Sequence, residues 1–500
     1  MELLIYFSNR PSGEPPLTLD TIPVEILHHI CTFFCDHCDP MKNSQIENST
    51  NHNPNEGKKD LLNLCLTSRA LCGVAQGVLF HHFSFGRHLN HGGPVAFRLA
   101  ASSFLQALSN KPHLRVVVKE LKIKTKRDTL YPRLFGFRSL TEADQHSAEL
   151  VRTLGAETGM QFRYDELQPS DLREAMIQLM IAACPNISKV QIQIPRYWTF
   201  NKLVGRNYTK SSTNRQPLSS LQTLDALVER LPTDDCEFPH QLCNLPAFVS
   251  LSERALVAGS ASRLETLKCT LGALENAPDM PRLEVLKLDV RGSFSGDLKA
   301  LFAKMPKLRE LTYCSSNKHG PLPIEVNAAL RDHRETLEVL AIHFWKADYE
   351  DLVILDPTID NTEFRLGLVN DFTNLKALIR IREASEKVSQ EESFQSISDT
   401  LPESLEMLCV HAPDMVSKPD YAPLMEVADR VREGRFKSLK HVLWTRKQSR
   451  SYPSGLGWLN PQDDKRKSGV YFIGGVEPET AVDLRKRYPI LTTMLNYYYV

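Results

Sequence analysis

The pattern of apolar positions between residues 17 and 85 predicts three short helices. In the segment LTLDTIPVEILHHICTFF, large apolar residues recur every four positions, which is the stripe of an amphipathic helix; they are Ile22, Ile26, Ile30 and Phe34. Pro23 suits the start of this helix, where its missing N–H costs nothing. A second helix is expected from about Asp60, and a third helix is expected to be capped by Ser68.

Three helices of this length are marginally stable alone, because helix nucleation is costly and their stability must come from packing. A unit of this size is also close to the limit below which one hydrophobic core no longer suffices. The segment nevertheless carries many large apolar side chains. We therefore expect part of this apolar surface to contact another protein.

The order and spacing of these apolar residues resemble those of an F-box. The resemblance rests on Ile22-Pro23-x-Glu25-Ile26-Leu27-x-x-Ile30, then Leu61-Leu62-x-Leu64-x-Leu66-x-x-Arg69-x-Leu71, then Ala75 and Leu79-Phe80. In that family the motif docks on the Skp adaptor subunit of a cullin-based ubiquitin ligase. The resemblance implies the Skp adaptor and the cullin scaffold as partners, and it implies adaptor contacts by Ile22, Pro23, Ile26, Leu27, Ile30, Leu64, Leu66 and Leu79.

A polar, Asn-rich segment, DHCDPMKNSQIENSTNHNPNEGKK, separates the two halves of this motif. Its composition cannot bury enough apolar surface to order the chain, so residues 36–59 are predicted to form a disordered insert. An alternative interpretation of the same helices is an ordinary helical hairpin that caps the domain after it.

From residue 118 onward the pattern L-x-x-L-x-Φ, where Φ is apolar, recurs along the chain. The alternation after the second leucine predicts a short strand, and several copies follow a helix-like run and a stop signal. This repeated order of helix, break and strand resembles an irregular leucine-rich-repeat array. Unrelated β-α-β units are the alternative. The copies begin at Val118, Ile187, Leu264, Leu283, Leu308, Leu337, Leu405 and Leu439, with a slipped copy at Leu375.

The predicted fold class is therefore α/β, with an N-terminal three-helix F-box followed by an irregular leucine-rich-repeat solenoid of strand–helix repeats in an open arc. Residues 124–169 and 195–262 interrupt the repeat pattern, and the polar segment after Trp198 is expected to be a loop. The expected boundaries are a flexible N-terminus at 1–16, the F-box at 17–86, the repeat array at 87–446 and a capping segment at 447–500.

The composition argues against several classes of partner. The chain has 60 Lys and Arg and 60 Asp and Glu, so no general electrostatic footprint for nucleic acid or a membrane surface is expected. No apolar run approaches the roughly 18 residues of a membrane span, and the first residues lack the basic region of a signal peptide. Eleven scattered cysteines fit reduced thiols, so we expect a cytoplasmic or nuclear protein.

The sequence contains none of the motifs G-x-x-x-x-G-K-[ST], G-x-G-x-x-G, H-E-x-x-H and G-x-S-x-G, so we predict neither an enzyme nor a cofactor. Cys31-x-x-x-Cys35-x-x-Cys38 has the spacing of an iron–sulfur motif. However, Cys31 and Cys35 lie one helical turn apart within the apolar stripe, where cysteine can replace a small apolar residue.

Two further groups of possible ligands have simpler interpretations. Cys236, His240 and Cys243 lack a paired C-x-x-C partner and are expected in a loop. The pairs His28-His29 and His81-His82 are expected on a helix face and in a strand. The sequence therefore predicts no metal site.

A basic row accompanies the first repeat. Lys122, Lys124 and Lys126 alternate with less polar residues, so a strand would present them on one face. This row could receive an acidic peptide or a phosphate, and a solvated strand face is the alternative.

The expected function is substrate recruitment: the helices bind the Skp adaptor, and the repeat array holds an unidentified target protein near the loaded conjugating enzyme. A leucine-rich-repeat scaffold acting outside any ligase and an enzyme with an unrecognised site are the rival hypotheses. In a leucine-rich arc the polar positions around the second apolar strand residue line the concave face. The resulting target-binding candidates are Lys268, Thr270, Lys287, Asp289, Thr312, His343 and His411.

Overall fold

The structure is a computed structural model of the 500-residue chain. The residues that it describes are 22–35, 38, 56–85, 93–123, 142–158, 169–194, 220–228, 262–274, 277–290, 296–315, 323–344, 369–381, 397–412, 426–427, 429–431, 433–446 and 471–474. The expected N-terminus 1–16 lies outside these residues, as do most of the insert 36–59 and most of the segment 447–500.

The three predicted N-terminal helices are present. They are α1 (Val24–Phe33), α2 (Glu56–Thr67) and α3 (Arg69–Leu79). The predicted cap of α3 is confirmed, because the Ser68 hydroxyl oxygen accepts a hydrogen bond from the Leu71 N–H at 3.1 Å. Helix α2 begins before the expected start at Asp60, within the segment predicted to be disordered.

These helices share a small core of their own. Its buried members come from all three helices and from the turn after α1; they are Cys31, Cys35, Leu61, Ala75 and Val78. The cluster is distinct from the main core of the chain. Beside this small core, most residues of α1 are exposed.

A single parallel sheet of twelve strands follows within the described residues, and each strand pairs with its neighbours in chain order. The mixed α/β class with a parallel sheet is therefore confirmed. The strands are β1 (His82–Phe85), β2 (Glu120–Ile123), β3 (Lys189–Ile194), β4 (Thr223–Val228), β5 (Thr266–Thr270), β6 (Val285–Val290), β7 (Glu310–Ser315), β8 (Val339–Phe344), β9 (Ala377–Ile381), β10 (Met407–Ala412), β11 (His441–Arg446) and β12 (Tyr471–Gly474).

Helices lie between several of these strands, as parallel pairing requires a crossover connection. The α-helices are α4 (Gly93–Asn110), α5 (Glu142–Thr158), α6 (Pro169–Ala183), α7 (Leu298–Ala303), α8 (Pro323–Ala329) and α9 (Ile397–Thr400). Three short 3₁₀ helices cover Pro112–Val116, Leu271–Leu274 and Arg331–His333.

The register between neighbouring strands is the same from β1 to β11. The carbonyl of the residue before one strand accepts hydrogen bonds from two consecutive N–H groups of the next copy; that of Glu284 accepts from Arg309 at 2.8 Å and from Glu310 at 2.9 Å. The same pair of bonds is accepted by the carbonyls of His81, Lys119, Ser188, Gln222, Glu265, Arg309, Glu338, Lys376 and Glu406. Copies of unequal length therefore stack in phase.

The first apolar position of each copy anchors the main core. These residues are at most 4% exposed, and they are Val118, Ile187, Leu221, Leu264, Leu283, Leu308, Leu337, Leu375, Leu405 and Leu439. Burying each leucine contributes roughly 1.5–3 kcal/mol, so the repeated pattern supplies much of the favourable energy of the array.

Two details of the repeat pattern differ from the sequence prediction. The stretch 195–262, expected to interrupt the repeats, contains a full copy, Leu221-Gln-Thr-Leu224-Asp-Ala226, which forms β4. The copy at Leu375 is not slipped, because Leu378 pairs with Leu340; Arg380 instead occupies the third apolar position.

Candidate functional site

The strongest candidate for a functional surface lies on α1 and α2. Eight large apolar residues are exposed within the described part of the chain, and six of them belong to these two helices. Their exposed fractions range from 37% to 85%, and we call them the helical apolar surface; they are Val24, Ile26, Ile30, Phe33, Leu62 and Leu66. An apolar group of this kind on a small unit is typical of a protein-binding surface.

Helix α1 is apolar on two sides. Leu27 and Cys31, one turn apart, are buried, whereas Ile26, Ile30 and Phe33 follow the i, i+4, i+7 spacing of a second stripe that stays exposed. Packing against α3 covers the first stripe only. The second stripe therefore stays largely exposed, apart from the edge-on contact between the Phe33 and His29 rings.

The residues predicted to contact the Skp adaptor divide into three groups. Pro23, Ile26, Ile30 and Leu66 are exposed, and Ile22, Leu64 and Leu79 are half-buried. Leu64 and Leu79 also pack against the small helical core. Leu27 is only 3% exposed, so its side chain supports the helix from inside and cannot reach a partner without local unfolding.

Three members of the helical apolar surface were not among the predicted contacts. Val24, Leu62 and Phe33 are each at least half exposed. Leu62 stands one turn before Leu66, and Phe33 stands one turn after Ile30, so a helical wheel centred on Ile26 and Leu66 would have found both. The F-box spacing alone did not distinguish the outer stripe from the inner one.

The predicted target-binding residues fall into two rows across the sheet. Strand pairing puts Lys268, Lys287 and Thr312 side by side in one row. The other row contains, in order along the sheet, Thr270, Asp289, Cys314, His343, Ile381 and His411. The backbone thus brings all seven predicted positions to adjacent strands, although Thr312 itself is buried.

The first of these rows changes from polar to apolar residues along the sheet. From β2 to β6 it carries half-buried polar residues, namely Lys122, Gln191, Asp225, Lys268 and Lys287. From β8 to β10 it carries Ala341, Ile379 and Cys409, which are buried but are not members of the main core. We call the residues of the β2–β6 part the polar sheet face, and only this part presents charged groups in that row.

One ion pair lies on the polar sheet face. The Lys268 ammonium lies 3.4 Å from the Asp225 carboxylate, with both side chains partly exposed. Burial raises the pKa of Glu310 on the next strand but one, and the charges of Lys287 and Arg309 act in the opposite direction. Opening this partly exposed pair costs little, because surface ion pairs contribute only about 0–1 kcal/mol.

A ladder of alternating charge runs along the strand starts. Arg309 contacts Glu284 at 3.5 Å and Glu338 at 2.6 Å, and Lys376 contacts Glu338 at 2.8 Å. Burial acts to raise the pKa of Glu338, but the hydrogen bonds from Lys376 and Arg309 outweigh it and hold that pKa below its ordinary value. Lys440 and Glu406 repeat the pairing at 3.0 Å further along.

The remaining sequence candidates are only partly visible. Lys122 lies on β2, whereas Lys124 and Lys126 of the basic row, and the segment Cys236–Cys243, lie outside the described residues. In the described part of the chain, one group of three side chains with metal-binding atoms converges, formed by Cys35, Cys38 and His81.

A comparison with protein-family models and a search of curated proteins both find no match for this chain. Within the described residues, none of the helices combines the length and the apolarity required to cross a lipid bilayer.

Proposed function

We propose that this chain is a substrate-recruiting adaptor of a Skp–cullin–F-box ubiquitin ligase. The observation that carries the proposal is the helical apolar surface, in which α1 and α2 hold a second apolar stripe that their own core leaves uncovered. In this proposal the Skp adaptor covers that stripe, and the repeat array is a leucine-rich-repeat solenoid that holds the target.

The size of the helical apolar surface supports a contact with a partner. Burying a large aliphatic or aromatic side chain contributes roughly 1.5–3 kcal/mol. Association of two proteins costs an estimated 4–15 kcal/mol in lost freedom. The six residues are 37–85% exposed, so covering them contributes part of that value each, and their sum is of the same order as the association cost.

The chain itself performs no chemistry in this proposal. Binding a target to the array and the ligase to the helices raises the effective concentration of the target's lysines near the ubiquitin-loaded conjugating enzyme. The polar sheet face is the proposed docking region for the target, because Asp225, Lys268 and Lys287 are accessible charges there.

Capture of the purified Skp adaptor by the full chain tests the first half of the proposal. Ile26→Asp places a charge in the centre of the outer stripe, and we expect it to weaken adaptor binding at least tenfold. Leu99→Asp is the matched control, since Leu99 is 57% exposed on α4, outside the helical apolar surface. Equal binding by the wild type and Ile26→Asp, or equal loss in both variants, contradicts the proposal and favours a scaffold outside any ligase.

Charge reversal on the sheet tests the second half. The double variant Lys268→Glu and Lys287→Glu should lose the proteins that co-purify with the wild type in cells, while it keeps the Skp adaptor. Lys307→Glu, an exposed lysine in the turn before β7, is the control and should keep both. If the double variant keeps every co-purifying protein, the polar sheet face is not the target site.

A further inference from the structure

Three side chains with metal-binding atoms meet where the helical unit joins the sheet. Cys35 follows the last turn of α1, Cys38 lies three residues later, and His81 stands directly before β1. The Cys38 sulfur lies 3.2 Å from Nδ1 of His81, across 43 residues of sequence. The ligand atoms of all three residues lie within 4.8 Å of one another.

The chemistry of this group matches zinc. Two thiolates and an imidazole are preferred Zn²⁺ ligands, and C-x-x-C is the usual spacing of a thiolate pair. With Zn–S near 2.3 Å and Zn–N near 2.0–2.1 Å, a sulfur and a nitrogen on one tetrahedral ion are about 3.5 Å apart. The separation between Cys38 and His81 is close to this value, and all three ligand atoms lie within 4.8 Å of one another.

The backbone supports the pair of cysteines in a tight turn. The Cys38 N–H donates to the Cys35 carbonyl at 3.0 Å, and the Cys35 N–H donates to the Thr32 carbonyl at 3.1 Å. Cys31, the first residue of the iron–sulfur spacing, is fully buried in the helical core and does not belong to the converging group. The geometry thus favours a Cys₂His centre over an iron–sulfur site.

We propose that Cys35, Cys38 and His81 bind one zinc ion, and that His28, which lies outside the converging group, turns toward the ion as its fourth ligand. His28 lies on α1, and its ring centroid is 6.1 Å from that of His81. A bound ion would tie the end of α1 to the junction between α3 and β1. Because metal binding adds directly to folding free energy, it would stabilise a three-helix unit whose own core is small.

The test uses the purified full chain, zinc and cobalt(II). After excess metal is removed, mass spectrometry of metals should find one zinc per chain. Replacing it with Co²⁺ should give the thiolate charge-transfer and strong visible bands of a tetrahedral site. Cys38→Ser and His81→Asn should lose the stoichiometric metal, whereas His28→Gln should lower the affinity at least tenfold.

Matched controls come from the same unit and its neighbour. Cys72→Ser on α3 and His113→Asn in the following 3₁₀ helix should keep one zinc per chain. If the wild type binds Co²⁺ without thiolate bands, or if Cys72→Ser loses as much metal as Cys38→Ser, the proposal is wrong and the short contact is only a thiol–imidazole hydrogen bond.

The cobalt spectrum of the wild type decides the question even if a ligand variant fails to fold. Neither measurement requires the Skp adaptor, so this site can fail while the proposed function stands, and the reverse also holds.

Discussion

Neighbouring residues on α1 have opposite roles. Leu27 is only 3% exposed, whereas the adjacent Ile26 is 44% exposed. Both fit the apolar pattern of the motif, because a stripe at i, i+4 spacing does not state which of two adjacent stripes faces inward. The sequence therefore predicted the helix and its apolar character. Which side of the helix is buried became clear only from its packing against α3.

The difference between these two residues is measurable as stability. We expect Leu27→Ala to lower the free energy of unfolding of the helical unit by about 2–5 kcal/mol, because it leaves a cavity in a small core. Ile26→Ala should cost less than about 1 kcal/mol, because its side chain is largely solvated. Both stability losses can be measured by urea unfolding, with hydrogen exchange within α1 as the probe. Similar losses in the two variants would contradict the assigned sides.

We expect His333 to make the stability of the array depend on pH. Its side chain is buried beside Phe302, and its Nε2 lies 3.1 Å from the Phe302 carbonyl oxygen. Burial lowers the pKa of His333, while the bond to that carbonyl and the charge of Asp332 act to raise it.

The sign of the effect follows from the lowered pKa. As the pH falls, the unfolded chain takes up a proton at the ordinary histidine pKa of about 6.5, whereas folded His333 takes it up only at lower pH. The contribution of His333 to stability is therefore fully present above that pH and is lost as the pH falls below it. His333→Gln should keep a donor near the carbonyl and remove this titration. Thermal unfolding between pH 7.5 and 5 should therefore show a steeper loss for the wild type than for His333→Gln, and parallel curves would exclude the effect.

At the scale of the elements, the array depends on its leucines more than on its charge ladder. Leu308 and Arg309 are adjacent: the first is fully buried in the main core, and the second pairs with Glu284 and Glu338 at the surface. Leu308→Ala should cost about 2–5 kcal/mol. Arg309→Ala should cost less than about 1 kcal/mol, and the cost should shrink at high salt.

Denaturant unfolding at two salt concentrations checks this comparison. The free energy of unfolding should drop strongly for Leu308→Ala at both concentrations. If Arg309→Ala lowers the free energy of unfolding as much as Leu308→Ala does, or if its loss is unaffected by salt, the ion-pair ladder holds the copies together.

The strands show which copies of the repeat pattern could be predicted from the sequence and which could not. Every copy marked by two leucines and an alternating residue forms a strand, because the register depends on those positions and not on the length of the connection. The copy at Leu221 was missed because it follows a long polar stretch that suggested a loop. At β9 the third position holds Arg380, and pairing of Leu378 with Leu340 fixes the strand despite this departure.

At the scale of the whole molecule, the helical core and the main core meet near His81. The helical core and the main core share no members, and β1 starts directly after His81, whose carbonyl begins the ladder of paired hydrogen bonds. The imidazole of the same residue faces the cysteine pair. Sequence patterns are local and could not show this contact, because it joins residues 43 positions apart.

The sheet face also shows a limit of the sequence argument. The polar positions predicted to bind a target share two rows, as a parallel array requires, but the pattern did not reveal that β8 to β10 carry buried apolar residues in the same place. Which part of a face is covered depends on tertiary contacts, so the seven candidates could be placed in rows but not ranked by access. The half-buried charges of the polar sheet face are Lys122, Asp225, Lys268 and Lys287.

Hydrogen–deuterium exchange of the full chain, with and without the purified Skp adaptor, tests the central claim most directly. The account predicts that the adaptor slows exchange in α1 and α2, where Ile26, Ile30 and Leu66 become covered, and leaves the strands of the sheet unchanged. Unchanged exchange in both helices, or protection confined to the sheet, would contradict it.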